Sequence, residues 1–406
     1  VQTSLLKLIE FRFFLSARFL ITLNIQIQSV IVGWQIYELT GDPLALGLIG
    51  LTEAIPAITV ALFAGHLADN MIRRRIVLAA YTVLMICSLS LWMFTLNGNW
   101  FLTEYGTFPI YFAVFLTGIA RGFQGPATFA LLSEIVNRED LGKAAAWSTT
   151  AWQTAAVGGP AAAGILYGLF GGSVTYGLNI FLVSVAFISM FLIRSRPKPV
   201  HEKEIPFFES LTSGVRFVFK NQIILSAISL DLFAVLFGGA IALLPIFAKE
   251  ILNAGPEGLG LLRAAPAIGS VAVALWLARN PIRKNAGPIL LTNVALFGVC
   301  MILFALSTNF YFSLILLVLS GAFDGISVVI RATIMQVFTP ENMKGRVSAV
   351  NQIFIGSSNE IGAFESGVAA KLLGVVPSVI FGGTMTLLVV GVTNWKAKKL
   401  RKLELT

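Results

Sequence analysis

Nine ionisable side chains stand inside long apolar runs: Arg18, Glu53, Arg121, Asp231, Arg263, Asp324, Arg331, Glu360 and Glu365. If those runs lie in lipid, each charge costs about 2.5–3.5 kcal/mol at a helix centre on the insertion scale. It therefore needs a partner, a watery cavity or a task. Two chemistries suit the set. A carboxylate among apolar groups favours its neutral form, so a change of surroundings lets it load and release a proton. A guanidinium in the same setting attracts an anion.

The elements that would hold these groups follow from composition. Of 406 residues 56% are hydrophobic and only 12% charged, and mean hydropathy is +0.84. A soluble domain carries about 25% charged residues, so lipid must be much of the solvent and the bilayer the first partner. A spanning helix needs about 20 apolar residues. Twelve runs qualify: 13–38, 44–68, 75–97, 108–134, 144–170, 173–193, 222–248, 257–279, 286–306, 309–338, 347–373 and 376–395. Lipid-facing backbone must satisfy itself, so these predict helices. No strands of alternating polarity, as a membrane barrel would need, are visible. The start of the sequence does not read as a cleavable leader.

Charge orients the spans. With the N-terminus inside, 23 of the 29 Lys and Arg fall in cytoplasmic segments, four within spans, and only Lys249 and Lys371 outside. That asymmetry obeys the positive-inside rule and predicts an inner-membrane protein with both termini cytoplasmic. It also accounts for a net charge of +9 without nucleic acid. Cys87 and Cys300 lie in apolar runs, and His66 and His201 are the only histidines. No disulfide, metal site or cofactor is expected, and the chain is expected to be a monomer.

The longest polar segment, 194–221, divides the sequence into two bundles, 1–193 and 222–406, and ends in an amphipathic stretch near 207–220. The halves repeat. Gly50-Leu-Thr-Glu53-Ala-Ile-Pro56 aligns with Gly260-Leu-Leu-Arg263-Ala-Ala-Pro266 at an offset of 210. Gly118-Ile-Ala-Arg121-Gly122 aligns with Gly321-Ala-Phe-Asp324-Gly325 at an offset of 203. Parallel six-helix repeats are the layout of one large transporter class. Glu53 and Arg263 thus occupy equivalent positions with opposite charge, as do Arg121 and Asp324. Equal depth would let each pair meet across the halves, the first as an outer gate. The alternative for each is a static ion pair. Asp231 and Glu360 are further proton candidates.

Polar residues also fall into helical stripes: Asn24, Gln28 and Gln35 with Arg18, then Arg121, Gln124 and Thr128, then Asp324, Ser327 and Arg331. Stripes on spans 1, 4 and 10 predict the lining of a shared cavity. Helix–helix hydrogen bonding is the competing explanation.

Two motifs connect these features to a known family. Gly65-His66-Leu67-Ala68-Asp69-Asn70-Met71-Ile72-Arg73-Arg74 resembles the signature loop of the major facilitator superfamily, departing from it at Asn70 and Ile72. Gly158-Gly159-Pro160-Ala-Ala-Ala-Gly164 resembles the antiporter motif of its exporters, matching at Gly159, Pro160 and Gly164. The stretch Trp34-Gln-Ile-Tyr-Glu-Leu-Thr-Gly-Asp-Pro43, with Lys344-Gly-Arg-Val-Ser-Ala349, is similar to the drug:proton antiporter-3 branch of siderophore and macrolide efflux proteins. The resemblance implies two six-helix bundles moving around a central site. It also implies that Gly65, Asp69, Arg73 and Arg74 form a cytoplasmic latch. A proton-coupled exporter of a siderophore or an amphipathic, drug-like small molecule is the expected function. The candidates for substrate or proton are Arg18, Asn24, Gln28, Glu53, Arg121, Asp231, Arg263, Asp324, Arg331 and Glu360, and the arginines favour an anionic ligand. A proton-coupled uptake symporter uses similar residues. A non-transporting receptor would need a soluble domain larger than any loop here. No nucleophile–base or metal constellation for an enzyme is present.

Overall fold

The computed structural model describes residues 5–96, 100–194, 207–280, 282, 284–340 and 343–404. No strand occurs among them. Nine helices among the described residues are long and apolar enough to cross a membrane. They match the expected spans as α1 (Ile9–Thr40), α2 (Pro43–Asn70) and α3 (Arg73–Met93), then the stretch Leu141–Phe191. The remainder are α7, starting at Gln222–Gly238, α8 (Gly255–Arg279), α9 (Ala286–Leu306), α10 (Phe310–Phe338) and α12 (Val375–Lys396). Two further helices are less apolar because of their polar residues: α4 (Phe108–Ile135) carries Arg121 and Gln124, and α11 (Lys344–Leu373) carries Glu360 and Glu365.

Leu141–Phe191 holds two expected spans. It breaks at Gly171, whose φ of 76° and ψ of 177° leave helical space, dividing it into α5 (141–170) and α6 (172–191). Gly374, at φ 92° and ψ 158°, separates α11 from α12 in the same way. The two glycines are 203 residues apart, the repeat spacing. A left-handed residue at both is needed to reverse the chain without a loop, and glycine adopts it without a Cβ penalty. Among the described residues, each of the twelve expected spans falls largely on helix, and nine helices are clearly long and apolar enough to cross a membrane.

Span 7 is less regular than expected. After Gly238 the chain leaves α-helical geometry at Gly239 (φ −80°, ψ 72°) and continues through a 3-10 turn at Ala240–Leu243 to a π-turn at Phe247–Ile251. Ser366 Oγ donates to the freed carbonyl of Gly239 at 3.1 Å, as a backbone break in lipid requires. At its start, Asn221 Oδ1 accepts from the amides of Ile223 (3.1 Å) and Ile224 (3.2 Å), an N-cap. The amphipathic stretch before it is a helix, Phe207–Lys220, which rests on α11 through the Arg346 Nη1 bond to Ser213 Oγ at 2.9 Å.

The chain groups into two compact units. The first contains Val1–Gly41, Thr52–Glu202 and Gly255–Ala264; the second contains Asp42–Leu51, Lys203–Ala254 and Ala265–Thr406. Lipid is as apolar as leucine, so close packing must hold such helices together, and glycines supply it. In the first unit a Cβ on Gly118 would lie 2.8 Å from Pro56 Cγ, so α4 crosses α2 backbone to backbone. In the second unit Gly321 sits against Pro266 in the equivalent crossing of α10 and α8. A second crossing repeats too. Gly164 of α5 meets Gly260 within the first unit, and Gly367 of α11 meets Gly47 within the second.

Candidate functional site

The polar stripe of α1 faces the interior of the first unit. Asn24 is fully buried; its Nδ2 donates to the carbonyl of Asn179 (2.9 Å) and to Ser88 Oγ (3.4 Å). Asn179 returns a bond to the Asn24 carbonyl at 3.2 Å. Gln28 is buried, accepts from Ser88 Oγ at 3.0 Å and donates to Thr117 Oγ1 at 3.2 Å. Gln35 accepts from the Tyr176 hydroxyl at 3.0 Å. Expected as cavity-lining, Asn24 and Gln28 here bond α1 to α3, α4 and α6. Helical spacing identifies which residues share a face, not which side that face looks to.

The expected charge partners also change. Glu53 pairs with Arg121, its neighbour across the α2–α4 crossing. Gly118 brings α4 against the backbone at Glu53, and Arg121 stands one turn further along. Arg263 forms no ion pair among the described residues; its Nη1 donates to Ser29 Oγ of α1 at 3.2 Å. In the second unit Arg331 pairs closely with Asp231 of α7 and stands 3.8 Å from Asp324. The Arg331 and Asp231 side chains are 9% and 13% exposed, whereas that of Asp324 is 44% exposed. One guanidinium thus serves two carboxylates, and Asp324 is the open end. Glu360 of α11 lies beside Gly50, with Oε2 3.2 Å from where a Cβ there would stand.

The signature loop is half described. Gly65 and Asp69 fall in α2, but the surroundings of both lie outside what is described. Arg73 bonds Glu134 Oε1 and the Ala130 carbonyl, both at 3.1 Å. Arg74 donates to the carbonyls of Met190 (3.4 Å) and Phe191 and stacks 5.1 Å above the Phe191 ring. Both arginines hold C-terminal ends of helices, where the dipole favours a cation. In the antiporter-like motif, Gly159 and Pro160 are buried, with Gln26 of α1 filling the place of a Cβ on Gly159. Gly164 makes the α5–α8 crossing described above.

Two cavities open within the units, and the repeat relates them. The first, of about 240 Å³, lies in the first unit among α1, α4 and α5, with Arg18, Thr128, Phe129, Leu132, Ser148 and Trp152 in its wall. The second, of about 460 Å³, lies between α10 and α11 in the second unit. Adding 203 to Thr128, Phe129, Leu132, Ser148 and Trp152 gives Arg331, Ala332, Met335, Asn351 and Ile355, all of which line the second cavity. Among the described residues each has one arginine, but in the first it comes from α1 and in the second from α10. Ser148 and Trp152 escaped the sequence reading. Arg331 and the offset of 203 lead to both, through Thr128 and the helix that follows.

Comparison with known proteins gives a consistent kinship. Residues 4–405 match the family described as transmembrane secretion effector. The enterobactin exporter EntS of Salmonella typhi is 26% identical over 393 residues, covering 94% of this chain and 92% of that protein. EntS of Shigella dysenteriae serotype 1 (strain Sd197) is 26% identical over 387 residues, covering 94% and 90%. Among solved structures, a POT family transporter in complex with 5-aminolevulinic acid superimposes with a TM-score of 0.74 at 12% identity over 96% of each chain. The D-xylose-proton symporter does so at 0.73 and 13% identity, over 95% of this chain and 96% of that one. At such identities the solved structures speak for the fold alone.

Proposed function

Because the chain belongs to the transmembrane secretion effector family of major facilitator transporters, a multi-pass membrane family moving small molecules, we propose that it is a proton-coupled exporter. Its cargo is a siderophore or an amphipathic, drug-like compound, carried by alternating access. Both termini face the cytoplasm of a cell with this protein in its inner membrane, as the basic residues ask. Two six-helix halves, 1–193 and 222–406, joined by 194–221, move as a monomer.

The observation that carries the reading is the Asp231–Arg331–Asp324 cluster. With both carboxylates ionised, it has one negative charge too many for its apolar surroundings. A proton on Asp324 cancels that charge and leaves the close Arg331–Asp231 pair intact. Asp324 is the member that can exchange, because it is the most exposed of the three and the furthest from the guanidinium. Glu53–Arg121, by contrast, is already neutral as a pair and acts as a tie between α2 and α4. Kinship to the enterobactin exporters supports the outward direction and a siderophore among the first compounds to try.

The test is transport in proteoliposomes, with and without an imposed pH gradient, across a panel of catecholate siderophores and amphipathic drugs. Gradient-driven efflux of at least one compound is expected. Accumulation in the opposite sense would make the chain an uptake symporter. Failure of the whole panel, with no compound altering thermal stability, would remove the exporter reading.

A further inference from the structure

The two repeat-related cavities differ in charge, and the difference has a chemical meaning. In the second, Arg331 is neutralised by Asp231 and Asp324. In the first, Arg18 forms no ion pair among the described residues, and its Nε is buried without a hydrogen-bond partner. No carboxylate among the described residues lines that cavity. The nearby Tyr81 is a phenol, neutral at neutral pH, and supplies no counter-charge. Thr128, 3% exposed, lines the same wall, and its Oγ1 is buried without a hydrogen-bond partner. A half-buried cation without a counter-charge and a buried hydroxyl without a partner are each costly, and an anion in the cavity would supply the counter-charge to Arg18.

Three aromatic side chains, Phe14, Phe129 and Trp152, share the wall with Arg18 and Thr128, beside Leu132, Ala145, Ser148 and Thr149. At about 240 Å³ the cavity is smaller than the roughly 300–1,000 Å³ of a drug-sized site. It has room for one ring with its acidic group, not for a whole amphipathic molecule.

We propose that the Arg18–Thr128 cavity of the first unit is an anion subsite that takes a single aromatic acid moiety, and that the equivalent cavity of the second unit is not one. Arg18 supplies the charge, Thr128 donates to the second oxygen, and Trp152 with Phe129 covers the ring. The inference rests on the transport reading for its purpose: the moiety is one arm of the cargo. Its evidence is independent of direction or coupling.

The experiment is equilibrium binding of radiolabelled benzoate to the full chain in phosphatidylcholine nanodiscs, with benzamide and benzylamine as neutral and cationic competitors. Saturable benzoate binding is expected, with benzamide and benzylamine at least about tenfold weaker, the discrimination expected of a charged hydrogen bond. Arg18→Met should weaken benzoate at least about tenfold with Arg18→Lys intermediate, and Thr128→Val should weaken it about three- to tenfold. Equal competition by benzamide overturns the proposal, as does unchanged binding in folded Arg18→Met. If Arg18→Met does not fold, the near-isosteric Thr128→Val decides, and unchanged affinity there overturns it. Loss of benzoate binding when phosphatidylglycerol is added to the nanodisc would make the cavity a lipid site and also overturn it. Benzoate binding in a protein that fails to export any compound would sink the export reading and leave the subsite standing.

Discussion

Replacing Asp231 and Asp324 separately by Asn should have very unequal effects on stability, although both are aspartates beside one arginine. Asp231 and Arg331 form a close pair with side chains 13% and 9% exposed. Removing one partner of a buried pair costs about 3–5 kcal/mol. In Asp231→Asn, the Asp324 carboxylate at 3.8 Å compensates part of this, so a loss of about 2–4 kcal/mol is expected. That is a factor of roughly 30 to 1,000 in the folded population, at about 1.4 kcal/mol per tenfold. Asp324→Asn leaves the close pair whole. With a side chain 44% exposed, the lost interaction is worth about 0–1 kcal/mol, the range of solvent-accessible pairs. The assay is thermal unfolding of the purified variants in one detergent at one pH, followed by intrinsic fluorescence. A melting point for Asp324→Asn at or below that of Asp231→Asn would refute the assignment of Asp324 as the open end.

Three further outcomes follow from the packing and charge. Gly159→Ala should destabilise by about 1–3 kcal/mol through overpacking, because its Cβ would lie 2.6 Å from Gln26 Cβ. Gly158→Ala, with nothing within 4 Å, should be neutral or stabilise by up to about 1 kcal/mol; paired melting curves check both, and equal losses would contradict the crossing. Asn179→Ala removes the bond from Asn179 Nδ2 to the Asn24 carbonyl and keeps the one that Asn24 donates to the Asn179 backbone carbonyl, and should lower the melting point at a cost of about 0.6–2 kcal/mol. It should do so without changing which compounds are moved; altered selectivity in the transport panel would return Asn24 to the substrate site. In the turn between α1 and α2, the Lys371 ammonium, bonded to Asp42 at 2.6 Å, and the Leu44 amide hold the Asp42 carboxyl below its usual range. Since the folded state lowers this group's affinity for protons, its contribution is complete above about pH 4 and fades as acid protonates it. Asp42→Asn should abolish about 0.2–1 kcal/mol of stability at neutral pH and lose no more below pH 4, read from melting curves across that range.

The helices were legible because apolar length is set by bilayer thickness, and the repeat was legible because glycine and proline at helix crossings cannot be exchanged for larger residues. Gly118 with Pro56, and Gly321 with Pro266, stand out in the sequence for the reason they matter in the structure. Gly171 and Gly374 could be placed within two residues, since each ends one apolar run and starts another. Orientation of a polar face was not legible. Asn24, Gln28 and Gln35 share a side of α1, yet nothing in their spacing states that Ser88, Thr117 and Asn179 wait on that side. Charge partners are not legible for a related reason. Equal depth in two halves makes Glu53 and Arg263 comparable, but reach is decided by the nearest crossing, and Gly118 hands Glu53 to Arg121. The break in α7 at Gly239 was hidden because an apolar run remains apolar when its helix is interrupted.

Asp324 is proposed to carry the proton that drives transport. The most direct test loads proteoliposomes with a pH-sensitive dye and one transported compound, then compares wild type with Asp324→Asn. Wild type is expected to move protons against the compound, while Asp324→Asn still exchanges labelled for unlabelled compound but moves no protons and ignores the pH gradient. Proton movement by Asp324→Asn in step with the compound, at the wild-type ratio, would contradict it.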